Sequence, residues 1–231
     1  MLACVGALGI QANWGLIFPM ISLGYIAEAL ESGETTSEAL TLEALDRARD
    51  AQGEGARTFT SLYEDTAPLV ARASDTVRRA GVPQGPLAGL PISIKDLFDV
   101  RGEITHAGSR VLQGAPAATA DAPVVRALRA AGAVLVGRTN MTEFAFSGLG
   151  LNPHYGTPLN PWDRETGRIP GGSSSGAAVS VTDGMAVAAI GTDTGGSVRI
   201  PAAFCGLTGF KPTARRVSNE GVVPLSPSLD S

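Results

Sequence analysis

Cysteine is scarce in this chain: Cys4 and Cys205 are the two among 231 residues. That count allows at most one disulfide. Neither residue sits in a Cys-x-x-Cys pair or a Cys/His cluster with zinc-ligand spacing, so neither a disulfide framework nor a structural metal organises the fold. Both are expected to be reduced thiols, which fits a cytoplasmic protein, and Cys205, after Ala202-Ala203-Phe204, reads as a small buried hydrophobe. Excess positive charge is also missing. With 18 basic and 22 acidic residues the net charge is −4, and apart from Arg215-Arg216 the basic residues are scattered, so direct nucleic-acid contact is not expected. No charged side chain occurs in the first 27 residues, yet Gln11, Asn13 and Pro19 interrupt the apolar run and no basic region precedes it. A secretory leader and a membrane span are therefore both disfavoured. Three readings stay open for residues 1–19: an extension upstream of a natural start at Met20, which is the one carried forward, a membrane anchor, or a packed N-terminal segment.

What is present is a globular composition, 44% apolar, enough for a sizeable core. Ile26 and Leu30, then Leu40, Leu42 and Leu45, recur at helical spacing around a break at Ser32-Gly33, with Ser37 as the expected cap of the second helix and Thr36 beside it. A third helix is expected from about Asp65 to Arg79, and Pro83, Gly85, Pro86 and Gly89 then mark a loop. Residues 20–84 thus read as a helical segment. Leu90 to Val100 reads as a buried strand whose alternation puts Ser93 and Lys95 on one face and Ile92 and Ile94 on the other. Asp121 and Pro123 open a helix that Gly132 closes, and Ala133 to Val136 follows as an all-apolar strand, a βαβ-type unit. A long loop from Gly148 to Gly172 leads to a helix from Ser174 to Thr182, an apolar strand from Met185 to Ile190 and a turn into a helix containing Val198 to Phe204.

Two glycine- and serine-rich turns and one lysine carry the chemistry. Gly171-Gly172-Ser173-Ser174-Ser175-Gly176 is the first turn, Gly191-Thr192-Asp193-Thr194-Gly195-Gly196-Ser197 the second, and Lys95 stands in Pro91-Ile92-Ser93-Ile94-Lys95-Asp96. A serine hydroxyl is a weak nucleophile until a base takes its proton and backbone N–H groups hold the developing oxyanion. Ser197, on a strand-to-helix turn with glycines before it, suits the nucleophile, although Gly-Gly-Ser also starts ordinary helices. Ser173 lies in a turn that otherwise reads as a linker or an anion-binding nest. Lys95 can act as a base only when neutral; burial lowers a lysine pKa, whereas Asp96 and Asp99 would oppose that if close, and the plain alternative is a surface lysine at a strand end.

Two other readings fare worse. Gly172-Ser173-Ser174-Ser175-Gly176 formally fits G-x-S-x-G, which would make Ser174 the nucleophile of an α/β-hydrolase. That elbow follows a buried strand, whereas Arg164 to Pro170 is polar, and the histidines, His106 and His154, both precede the serine when that order needs one after it. A phosphate-binding module would need G-x-x-x-x-G-K-[ST], which is missing.

From Gly85 to Ser231 the chain closely resembles the amidase signature family of serine hydrolases. The blocks that carry the resemblance are Gly85-Pro86-Leu87-Ala88-Gly89-Leu90-Pro91, Gly137-Arg138-Thr139-Asn140-Met141-Thr142-Glu143-Phe144 and Asn160-Pro161-Trp162-Asp163, followed by the two serine turns. Ser197-Val198-Arg199-Ile200-Pro201-Ala202-Ala203-Phe204-Cys205-Gly206 and Gly209-Phe210-Lys211-Pro212-Thr213 complete the set. The resemblance implies a mixed, largely parallel α/β sheet flanked by helices. It makes Lys95 the proton acceptor, Ser173 a relay preceded by a cis peptide, and Ser197 the nucleophile. Backbone N–H groups at Thr194, Gly195, Gly196 and Ser197 become the oxyanion hole, Ser174 a supporting residue, and Asp193 and Arg199 the braces of the turn. No cofactor or metal is implied; a small-molecule amide is the expected substrate.

One branch of the resembled family frees ammonia from glutamine and passes it to a misacylated tRNA held by partner subunits, so a glutamine-hydrolysing amidotransferase subunit is the alternative. A homodimer also stays open. Members of the family are roughly twice this length, so residues 85–231 are expected to be the N-terminal half of a catalytic domain, with an open sheet edge and weak or no turnover by residues 1–231 alone.

Overall fold

A computed structural model describes residues 22–231. The expectation for residues 1–19 and the reading of Cys4 lie outside the described residues. Helix α1 (Leu23–Ser32) starts where Ser22 Oγ accepts from the Tyr25 N–H, 3.1 Å, and ends at Gly33, whose φ is +77°. Helix α2 (Ser37–Arg49) is capped by Thr36, which accepts from Ala39 N–H, 3.1 Å. Ser37, the expected cap, is instead buried, donating to Gly89 O at 2.8 Å while its N–H donates to Asp75 Oδ1 at 2.8 Å.

A short helix α3 (Gly55–Thr58) runs directly into strand β1 (Phe59–Leu62), and α4 (Ala67–Arg79) follows where the third helix is expected. The sequence reading contains neither α3 nor β1. Strand β2 (Pro91–Lys95), helix α5 (Pro123–Ala130) and strand β3 (Val134–Thr139) form the βαβ unit, with β2 and β3 adjacent and parallel. Asp121 does not cap α5: it accepts from Arg101 N–H at 2.8 Å and pairs with Arg129, while Pro123 supplies the pre-set φ of the first turn. Helix α6 (Ser175–Thr182), strand β4 (Ala188–Ile190) and helix α7 (Arg199–Phe204) complete the elements.

The sheet order is β1-β3-β2-β4; β2, β3 and β4 run parallel and β1 is antiparallel to β3, giving a mixed sheet flanked by helices. One core joins Ile92, Ile94, Leu135, Ala188 and Ile190 to Val124, Val125 and Leu128 of α5 and to Ile26 and Leu30 of α1. Each valine, leucine or isoleucine among them contributes about 1.5–3 kcal/mol when removed from water. Val134 and Val136 pack into a second core with Leu45, Ala48, Phe59, Ala67 and Ala71, and Ala189 into a third with Ala177, Val181 and Val198. Strand alternation therefore sends Ser93 and Lys95 away from Ile92 and Ile94, as expected, and Ser93 Oγ meets Ser180 Oγ of α6 at 2.8 Å. At the ends of the sheet, β4 is buried over all three residues, while β1 is partly exposed.

Candidate active site

Lys95 ends β2 with its side chain wholly buried. Its Nζ lies 2.7 Å from Ser173 Oγ and 3.0 Å from Thr192 Oγ1, so the lysine bridges the two serine turns. Burial pushes the amine down to about 7, against the Asp193 and Asp230 carboxylates, which favour its charged form. Asp96 and Asp99, which would oppose the shift if they lay close, are engaged elsewhere. Asp96, just past the end of β2, accepts from Arg138 Nε at 2.7 Å; Asp99 accepts from Thr105 Oγ1 at 2.7 Å.

The first turn joins the Gly148–Gly172 loop to α6. Its Gly172–Ser173 peptide is cis, Ser173 is fully buried, and Ser173 O accepts from Thr142 N–H at 3.1 Å. Ser174 N–H donates to Ser197 O at 3.2 Å, which ties the two turns together, and Ser174 Oγ is buried without a partner. Close approach explains Gly191 here: a Cβ on it would come within 2.5 Å of Ser174 Oγ.

The second turn leaves the C-terminal end of β4. Asp193 is its centre, accepting from Gly196 N–H at 2.7 Å, from Val198 and Arg199 N–H at 3.3 Å each, and from Arg199 Nε and Nη2 at 2.9 Å each. Burial disfavours its charge, but the bonds from Arg199 and from those backbone N–H groups outweigh it and hold the carboxyl below the usual carboxylate range. Gly196, at φ +124°, adopts a backbone that L side chains rarely do. Its N–H points at Asp193 rather than outward; the N–H groups of Thr194, Gly195 and Ser197 have no partner among the described residues. A Cβ built on Gly195 meets nothing within 4 Å, so the turn is open at that point.

The structure thus brings Lys95 and Ser173 into contact and sets Ser197 on the adjoining turn. Among the described residues no hydrogen bond joins Ser173 Oγ to Ser197 Oγ; the link between the turns runs through the Ser174 N–H to Ser197 O bond. Serine occupies three staggered rotamers, so its hydroxyl can be redirected without moving the backbone. The contact between Thr192 and Lys95 was missed by the sequence reading, although Thr192 stands inside the quoted second turn. Neither histidine serves Ser174: His154 Nε2 is 2.9 Å from Glu143 Oε1, and His106 Nδ1 is 4.0 Å from Asp96 Oδ2. A cleft of about 650 Å³ runs along β1, but its lining, residues 48–51, 55–56 and 59–66, includes none of the site residues. Cys205 is buried, as expected, its thiol pushed up to about 12 by burial and directed at Pro170 O. Among the described residues no group of three or more His, Cys, Asp or Glu could hold a metal ion, and no helix is long and apolar enough to cross a membrane.

A mixed sheet with a buried lysine between two turns of glycine and serine is the arrangement that the resemblance to the amidase signature family implies. The amidase family profile matches residues 39–231, and the chain belongs to that family. It is 45% identical to one subunit of the glutamyl-tRNA(Gln) amidotransferase of Chromohalobacter salexigens, over 90% of this chain and 42% of that protein. It is 43% identical to the AtzE subunit of the 1-carboxybiuret hydrolase of Pseudomonas sp. (strain ADP), over 89% of this chain and 44% of that one. The solved peptide amidase of Stenotrophomonas maltophilia superposes with a TM-score of 0.79 at 40% identity, covering 89% of this chain and 43% of its own. The chain therefore spans less than half the length of these relatives.

Proposed function

We propose that this chain carries the reacting groups of a serine amidohydrolase, with Ser197 as nucleophile, Ser173 as relay and Lys95 as base. The observation that carries the proposal is the 2.7 Å contact between the buried Lys95 Nζ and Ser173 Oγ, beside the turn that bears Ser197. With its pKa brought near 7, a substantial fraction of Lys95 is neutral at physiological pH and its lone pair can accept the Ser173 proton. Ser173 Oγ in turn takes the proton of Ser197 Oγ as that oxygen bonds to an amide carbonyl carbon. The N–H groups of Thr194, Gly195 and Ser197, which have no partner among the described residues, are the donors for the resulting oxyanion. Collapse of the tetrahedral species breaks the C–N bond while the proton returns from Lys95 through Ser173 to the leaving nitrogen. Water then repeats the sequence on the acyl-enzyme, releasing the acid and restoring Ser197. Ser174 supports the junction of the turns; Asp193 and Arg199 brace the second.

The 45% identity to a component of a glutamyl-tRNA(Gln) amidotransferase favours a second reading, in which the same groups release ammonia from glutamine for transfer within a multisubunit complex. The substrate then is glutamine and partner subunits are required.

The test is labelling with a serine-directed fluorophosphonate, located by peptide mass mapping. Modification at Ser197 in the parent and its loss in Ser197→Ala support the nucleophile; modification elsewhere, or none, removes it. Carboxamide hydrolysis by the protein alone then favours the hydrolase, and glutaminase activity that appears only with partner subunits favours the amidotransferase.

A further inference from the structure

Of the two carboxylates whose charge reaches Lys95, Asp193 is paired with Arg199, whereas Asp230 forms no ion pair with a Lys, Arg or His among the described residues. Asp230 is nevertheless buried. Its oxygens accept from the Thr194 hydroxyl, from Leu225 N–H at 3.0 Å and from Ser226 N–H at 3.0 Å, and its backbone carbonyl accepts from Asn219 Nδ2 at 2.9 Å. The next residue continues the contact, Ser231 O accepting from Asp193 N–H at 3.0 Å. Lys211, the chain's other lysine, donates to Pro212 O at 2.6 Å and to Ser231 Oγ at 3.4 Å, leaving the Asp230 carboxylate to hydroxyl and backbone donors.

We propose that Asp230 is a positioning residue of the site: its carboxylate pins Thr194, and with it the turn bearing Ser197, to the 219–226 segment, and it supplies an unpaired negative field at Lys95. The inference rests on the proposed roles of Lys95 and Ser197. Thr194 is one of the three turn residues whose N–H groups have no partner among the described residues, so fixing its side chain fixes the direction of a donor for an oxyanion. Among the described residues the Asp230 oxygens meet only hydroxyl and backbone donors, so no counter-cation screens that group from Lys95 in the desolvated site. The other groups facing Lys95 are the Ser173 and Thr192 hydroxyls and Asp193, which Arg199 screens. Asp96 is engaged by Arg138 away from the lysine.

With Lys95 and Lys211 the sole lysines in the sequence, the full chain grown on isotope-labelled lysine yields two side-chain NMR signals, assigned with Lys211→Arg. Asp230→Asn is expected to move the Lys95 titration midpoint to lower pH, and Asp230→Glu to bring it back toward the parent value. A residue acting only in packing would lower thermal stability in both variants and leave the midpoint in place. The second arm is Thr194→Val, expected to slow fluorophosphonate labelling of Ser197 about tenfold or more, by loss of one aligned donor. An unmoved Lys95 midpoint in folded Asp230→Asn overturns the proposal, as does Thr194→Val labelling at the parent rate, which decides the matter if Asp230→Asn does not fold. Absence of labelling in the parent itself overturns the nucleophile reading instead, and the lysine titration then decides the role of Asp230.

Discussion

The Lys95 amine and the Ser173 hydroxyl meet at 2.7 Å where neither residue has any exposed surface, so the lysine's proton affinity is set by protein groups rather than by water. A base held in this way is a cost to the fold. The unfolded chain keeps Lys95 protonated up to about 10.5, the folded chain only up to about 7. Between those values the unfolded state binds the extra proton, so stability rises with pH across that window, and the penalty is greatest below about 7.

That linkage predicts a pH-dependent difference between the parent and Lys95→Met. Relative to the variant, the parent should gain about 2 kcal/mol of stability between pH 7 and pH 9. Urea unfolding of both proteins at the two pH values checks it; a constant difference would mean that Lys95 is charged in the folded protein. Comparing the two proteins cancels Cys205, which burial raises from 9.0 to about 12 and which works in the opposite direction as pH rises.

Asp193 and Arg199 form an ion pair whose members are unequally exposed, with the Asp193 side chain 1% accessible and that of Arg199 52%. Asp193→Ala strips partners from three backbone N–H groups and the guanidinium at once, and should cost about 2–3 kcal/mol together with most Ser197 labelling. Arg199→Ala leaves the carboxylate its three backbone donors, so its cost should be distinctly smaller. Thermal unfolding of the two variants side by side gives the ordering; equal losses would mean that the guanidinium, and not the backbone bonds, holds the turn.

On the other side of β2, Arg138 is buried against Asp96, donates to Phe98 O at 2.8 Å and reaches Glu103 at 3.2 Å, with Tyr63 OH on the same Glu103 oxygen at 2.9 Å. Arg138→Met leaves Asp96 buried without its cation, and a loss of about 3–5 kcal/mol is expected. Adding Asp96→Leu should recover part of it. A double variant no more stable than the single one would show that the arginine stabilises through Phe98 and Glu103 alone.

Much of this architecture was legible in the residues. The Ile92/Ile94 against Ser93/Lys95 alternation predicted the direction of the lysine because a buried strand has a fixed period of two. The helix over Ala67–Arg79 and the βαβ unit followed from apolar spacing and from Pro123. The failures have separate causes, of which contact between residues distant in sequence is one. Ser37 is the expected cap with Thr36 beside it, but Asp75 and Gly89 engage Ser37 and leave the cap to Thr36. Strand β1 is four residues long, with a register shift between Phe59 and Ser61, too short and irregular to show a period. Asp96 is the carboxylate next to Lys95 in sequence, but it pairs with Arg138; the charges that reach the lysine come from Asp193 and Asp230. Apart from Arg199, the two turns and the β2 segment hold all the expected site residues, but the engagement of Gly196 N–H by Asp193 is set by the fold of the turn and not by its composition.

The central claim is that Lys95, acting through Ser173, activates Ser197. Its most direct test is the rate of fluorophosphonate labelling at Ser197 as a function of pH in the parent, Lys95→Ala and Ser173→Ala. The account predicts a parent rate that rises through about pH 7, as the lysine loses its proton, and a reduction of about 10²–10⁴-fold in both variants. Labelling at the parent rate in Lys95→Ala and Ser173→Ala, with no inflection near pH 7, would contradict it.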